Sequence, residues 1–287
     1  MGSGPDQVSP SSMHRVVQEF RSIQGHVEKN EVGERRQDEY FARQTDFSRC
    51  LCGFLIMFEV YHYPFSPSSR FVRLIVGEYG LDARFRVEAF WESERELSIV
   101  DSAGFVPVLC EEGGPTIFGA VPFMEYICET RGYTANEHQL MPDHSPGSRA
   151  EVRSLVEWLL IRCEFDGLSL LVYEKVLKSE MPGLSDREPD SSVLRSARAS
   201  LQRHIKNTAM LVSVRDWVAG TKDMSFADLA AASMLSVLDY LGEVDWEKVE
   251  ALKRWYQKMK SRPSFRTLLM DRTLSLPPSA TYVDLDF

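Results

Sequence analysis

A chain of 287 residues, 44% hydrophobic and 26% charged, has the make-up of a folded protein with one large core or two modest ones. A formal net charge of −9 excludes the usual nucleic-acid binder, which draws on a lysine and arginine excess, and opposes adhesion to an anionic membrane surface. The longest apolar run, Leu51 to Val60, is interrupted by Glu59 and is too short to span a bilayer. The polar N-terminus lacks the basic-then-apolar order of a secretion signal, so a cytoplasmic location is expected.

Residues 1–56 read as a flexible extension rich in Ser, Gln, Glu and Arg, with one short amphipathic helix carried by Met13, Val16, Val17, Phe20 and Ile23. Met57 is a natural start for the globular part, and an over-long translation start is one expectation for what precedes it. Met57 to Tyr63 has the pattern of a strand. Ser66 is a good N-cap, Pro67 suits the first helical position, and Gly80 stops the helix that follows. Arg84 to Phe90 alternates with period two, as a half-buried strand does. A short helix is expected over Glu92 to Val100. Val106 to Cys110 and Thr116 to Phe118 then flank a Gly113-Gly114-Pro115 turn and predict a hairpin, and a helix from Ala120 to Thr130 closes the unit near Gly132.

Residues 133–147 read as a linker. Beyond them the periodicity is helical throughout, with helices expected at Arg149 to Lys178, Ser191 to Val214, Leu229 to Leu241 and Trp246 to Ser261. Ser225 and Asp228 have the spacing of a reciprocal N-terminal cap, with Asp in place of the usual Glu or Gln. The expected fold is therefore α/β plus all-α: a βαβαββα domain over 57–132, a helical bundle over 148–272, and a tail over 273–287. The five cysteines (50, 52, 110, 128 and 163) form no CxxC pair and read as reduced, mostly buried thiols. The six histidines lack metal-ligand spacing, so no metal site is expected.

The Ser66–Leu74 corner (SPSSRFVRL), the Gly104–Leu109 strand (GFVPVL) and the Trp217–Leu235 stretch (WVAGTKDMSFADLAAASML), in this order and spacing, resemble the cytosolic glutathione transferase superfamily over about Met57 to Leu269. The resemblance implies a thioredoxin-like first domain, a cis bond at Val106-Pro107 whose backbone pairs with the cysteinyl part of glutathione, and a homodimer. A narrower resemblance, carried by the Tyr61–Leu74 start and the tail LPPSATYVDLDF, is to bacterial glutathione transferase-like proteins that bind the tubulin homologue FtsZ and control cell constriction.

Within that resemblance Ser66 holds the position of the thiol-activating residue, since a hydroxyl at a helix N-terminus can donate to a thiolate that the helix dipole also favours. The plainer account is that Ser66 only caps its helix. Where the family carries an acid-Ser pair for the γ-glutamyl end of glutathione, this chain has Gly119-Ala120, with no side-chain donor or acceptor. No serine lies between Ile117 and Glu129 to restore it. Each lost charge-assisted bond is worth about 1.5–3 kcal/mol, or roughly one to two decades of affinity.

Trp91, beside Glu92-Ser93-Glu94, is either an exposed binding anchor or a ring folded over the core. Tyr282, Leu285 and Phe287, alternating with Asp284 and Asp286, suggest an extended tail that docks on a partner or on its own domain. Arg70 and Arg73 read as part of a solvated helix face. The expected function is a non-catalytic, glutathione transferase-like protein that binds FtsZ and regulates division, without a required cofactor. The alternative is an active transferase joining glutathione to electrophiles.

Overall fold

The computed structural model describes residues 57–89, 106–143, 145–181, 188–273, 275–285 and 287. The extension, its amphipathic segment, the expected helix at Glu92 to Val100 and Trp91 lie outside the described residues.

A four-stranded mixed sheet has the order β2-β1-β3-β4. Its strands are β1 (Met57–His62), β2 (Asp82–Val87), β3 (Val108–Glu111) and β4 (Thr116–Phe118). β1 pairs parallel with β2 and antiparallel with β3, which is joined to β4 by the expected hairpin. The register aligns Phe85, Val60, Leu109 and Ile117 in one row across the sheet. The strand expected at Arg84 begins earlier, at Asp82.

Helix α1 (Pro67–Tyr79) starts as its residues dictate. Ser66 accepts the Ser69 amide hydrogen at 3.2 Å, Pro67 needs no partner, and Gly80 adopts φ 62° at the end. The helix is buried on nearly all sides because it packs against α2 (Ala120–Thr130), the long apolar α5 (Phe226–Tyr240) and a 3₁₀ turn at Pro263–Phe265. Phe71 and Tyr79 both meet the Phe226 ring. Gly77 permits the approach to the turn, since a Cβ there would lie 2.8 Å from the Ser264 Cβ. That enclosure corrects the expectation for Arg70 and Arg73, which lie in the interior and not on a solvated face.

The helical part opens with α3 (Pro146–Val156), capped by Ser145. The winding then widens into π-type turns and the run continues to Glu180, kinked at Gly167. A side chain at Gly167 would press 3.0 Å from the Ala197 carbonyl of α4 (Ser191–Val214), so the glycine lets the two helices touch. Every residue of α5 is buried. The Asp228 carboxylate at its start accepts the Ser225 amide, the Ser225 hydroxyl and the Val218 amide, each at 2.9 Å, which completes the expected cap and ties down the preceding loop. The helix expected from Trp246 is two elements: a 3₁₀ turn at Trp246–Lys248 and α6 (Glu250–Lys260), separated at Val249 where the backbone leaves helical angles. A short α7 (Arg266–Leu269) follows.

The tail is not an extended strand. Ser279 caps a single helical turn, α8 (Ala280–Val283), and the segment folds back on its own domain. Tyr282 is fully buried, donates to the Leu268 carbonyl at 2.5 Å and stands edge-on to Tyr240. Lys260, itself buried, donates to the carbonyls of Thr281 at 2.7 Å and Asp284 at 2.6 Å.

Candidate functional site

The end of the sheet where β1 runs into α1 gathers the three pieces singled out in the sequence. Tyr61 is in register with Val108, the last pair of the β1–β3 ladder, so the proline loop leaves β3 at the end where β1 runs on to the Ser66 corner. The Val106-Pro107 bond is cis. The Pro107 carbonyl accepts the Gly119 amide at 3.0 Å, which joins the proline loop to the start of α2.

The corner is held tightly from within. The Tyr63 amide donates to Ser69 Oγ at 3.2 Å, the Ser66 amide to the Tyr63 carbonyl at 3.1 Å, and Arg70 Nε to the Pro64 carbonyl at 2.6 Å. Ser66 Oγ spends an acceptor lone pair on the Ser69 amide, which is the capping role. Its own proton is not used by that bond, and the side chain is partly exposed. The arrangement therefore suits a donor to an anion as well as a cap.

The γ-glutamyl end is different. Gly119 is the N-cap of α2 at φ 92°, ψ 159°, with no side-chain cap. A Cβ there would meet only Pro122 Cδ at 3.6 Å, so space does not forbid a side chain; the backbone angle disfavours it. Ala120 behind it is buried. Gly119 and Ala120 themselves offer no side-chain donor or acceptor at this end.

Two features at this end had no sequence signal. Tyr63 donates its phenol hydrogen to Glu180 at 2.9 Å, and Glu180 also binds the Thr273 hydroxyl. One carboxylate thus ties the corner to the end of the kinked helical run and to the start of the tail, across residues far apart in the chain. Burial, then the Glu180 charge, pushes the Tyr63 phenol well up, so it stays protonated. His62 is buried in the sheet with its ring edge-on to Phe85, and Nδ1 has no hydrogen-bond partner among the described residues. Burial, reinforced by Arg73 and Arg70, lowers its pKa to about 3 and keeps it neutral.

Beneath the corner lies a buried ionic cluster. Asp271 meets Arg73 Nη1 at 2.9 and 2.8 Å and Arg70 Nη2 at 3.3 Å. Arg70 also donates to Ser236 Oγ of α5 at 2.9 Å and lies near the Phe65 and Tyr282 rings. These arginines join the sheet part, α5 and the tail, and are not placed to meet a ligand.

Of the tail residues expected to meet a partner, Tyr282 has no surface left to offer. Phe287 is half-buried against Trp246 and over the Lys260 ammonium, while Leu285 remains exposed. Trp91 is outside the described residues. Burial raises the thiols of Cys110 and Cys163, and that of Cys128 to about 11, which favours the neutral thiol over the nucleophilic thiolate. No group of metal-binding side chains occurs among the described residues, and no helix there is long and apolar enough to cross a membrane.

Comparison with known proteins agrees with this fold. The glutathione S-transferase C-terminal domain family matches residues 181–263. FtsZ-localized protein A of Caulobacter vibrioides is 38% identical over 234 residues, which are 79% of this chain and 97% of that protein. The solved structure of FzlA from C. crescentus superposes with a TM-score of 0.73 at 38% identity, over 80% of this chain and all of that one. A glutathione S-transferase from Sinorhizobium meliloti 1021 superposes with a TM-score of 0.76 at 42% identity, again over 80% of this chain and 100% of its own.

Proposed function

The chain belongs to the glutathione transferase-fold family of FtsZ-localized protein A, and from that premise we propose that it is a cytoplasmic docking protein of bacterial division. In this role it binds an FtsZ-type partner as a homodimer, with little or no glutathione turnover of its own. The observation that carries the non-catalytic part is the pair Gly119-Ala120, where a positive φ and a buried methyl stand in place of a carboxylate and a hydroxyl. Without those contacts glutathione loses roughly one to two decades of affinity per bond. The resemblance to a protein localised to FtsZ supports the partner.

A second function is favoured by one specific feature. The free proton of Ser66 Oγ at the start of α1 suits a thiolate, as a transferase requires. Thermal unfolding of the full chain with and without millimolar glutathione separates the two. A ligand at a hundred times its dissociation constant stabilises by about 2.7 kcal/mol. An unchanged midpoint is expected. A clear rise, together with conjugation of a chlorinated nitrobenzene that Ser66→Ala abolishes, would establish the transferase instead. For the partner, the full chain is expected to sediment with FtsZ filaments; its remaining in the supernatant would end the division role.

A further inference from the structure

Helix α4 carries a face that the fold does not use. Its 24 residues include Arg195, Arg198, Arg203 and Lys206 and no Asp or Glu, in a chain whose net charge is −9. At 100° per residue, Arg195, Arg203, Lys206, Met210 and Val214 fall within about 100° of arc. All five are exposed, Met210 at 63% and Val214 at 78%. The buried face is the other one, formed by Ala197, Leu201, His204, Ile205 and Thr208. Arg198, at the margin, is engaged by Glu243 at 2.8 Å. No described carboxylate pairs with Arg195, Arg203 or Lys206.

Helix stability does not account for this pattern. Cations help at a helix C-terminus, where the carbonyl ends point, yet the basic residues occupy the first two thirds of α4 and its last turn has none. The basic residues sit inward of both helix ends, where the dipole gives them nothing, and the stripe exposes large apolar groups in the last turn, where a cation would be favourable.

We propose that this face of α4 docks an acidic, partly apolar segment of a partner protein. Its carboxylates lie along Arg195, Arg203 and Lys206, and one or two of its apolar side chains cover Met210 and Val214. The stripe spans about 28 Å from Arg195 to Val214, the reach of roughly nine extended residues. Charge complementarity selects a short segment over an extended anionic surface. A bilayer or a nucleic acid brings negative charge against the rest of an acidic molecule, whereas a peptide meets the stripe alone. The inference goes beyond the docking role above, because it names the surface and the chemistry it takes, whichever partner supplies the segment.

The test uses the full chain and a fluorescein-labelled peptide of Glu-Glu-Leu repeats, about nine to twelve residues long, read by anisotropy. Saturable binding is expected at about 50 mM salt and should weaken at least about tenfold near 300 mM, as contacts between exposed charges do. Arg195→Glu/Arg203→Glu/Lys206→Glu removes three exposed contacts and adds repulsion, so binding should fall at least about tenfold with the melting temperature unchanged. Met210→Ser/Val214→Ser should weaken it less. Equal affinity of the triple variant, equal affinity for the glutamine counterpart of the peptide, or tighter binding to phosphatidylglycerol vesicles or single-stranded DNA would each overturn the proposal.

Discussion

Asp271→Ala should loosen the joint between the sheet part, α5 and the tail. Asp271 faces two guanidiniums, Arg73 at 2.9 and 2.8 Å and Arg70 at 3.3 Å, and the Arg70 side chain is fully buried. Removing one member of a buried ion pair costs about 3–5 kcal/mol, because the remaining charge has lost both water and partner. The surroundings soften the loss. Arg70 keeps the Pro64 carbonyl at 2.6 Å and Ser236 Oγ at 2.9 Å, and Arg73 keeps the Thr267 carbonyl at 2.7 Å. The expected cost is therefore at the low end, about 3 kcal/mol. In a domain of this size each kcal/mol moves the midpoint by about 2–4 °C, so thermal melting followed by circular dichroism should show a fall of about 6–12 °C. A cycle with Arg73→Met should be non-additive by at least about 1 kcal/mol, since the two side chains share one contact. A fall below about 2 °C, or strict additivity, would refute the claim that this cluster fastens the parts together.

Three further expectations follow from the same contacts. His62 has a folded pKa of about 3 against 6.5 in the free side chain. Its contribution is thus full above pH 6.5 and is lost as pH falls toward 3, at about 1.4 kcal/mol per unit. His62→Phe should flatten that part of the stability–pH curve in denaturant titrations, and an unaltered slope would show that other groups set it. Ala120→Ser restores a hydroxyl at the first position of α2 and should raise glutathione affinity by roughly tenfold in calorimetry; no gain would mean that the missing serine is not what weakens the site. Lys260→Met removes the bonds that hold the Thr281 and Asp284 carbonyls. The tail should then be cut faster in limited proteolysis, with fragments ending before Tyr282, and an unchanged cutting rate would show that the tail's other contacts, among them Tyr282 and the Ser279 and Thr281 bonds to Asp239, retain it without Lys260.

Local chemistry made much of the fold readable. Ser66, Pro67 and Gly80 bound α1 because capping, a missing amide and a positive φ act within a few residues, and the Ser225–Asp228 cap marked the start of α5 for the same reason. Periodicity alone missed the kink at Gly167, which exists to admit the α4 backbone, and the break at Val249. It also misread Arg70 and Arg73, whose i, i+3 spacing suggests a wet face while α1 is enclosed by elements from the far end of the chain. At the site, Ser66, Pro107 and the Gly119-Ala120 gap were visible as residues. The Tyr63–Glu180–Thr273 link was not, because nothing in those residues encodes their proximity.

The sequence by itself determined the strands and most helices of the described residues, the cap and proline positions of the corner, and the lack of a side-chain donor or acceptor at Gly119-Ala120, all of which depend on residue identity and near neighbours. Only the tertiary structure decided where charge and apolar side chains ended up. Burial turned Arg70, Arg73 and Lys260 into internal fasteners. It also withdrew Tyr282 from the surface and left the basic face of α4 in solvent. The physical reason is that desolvation and ion pairing are set by what packs around a group, and that is assembled from residues up to two hundred positions away.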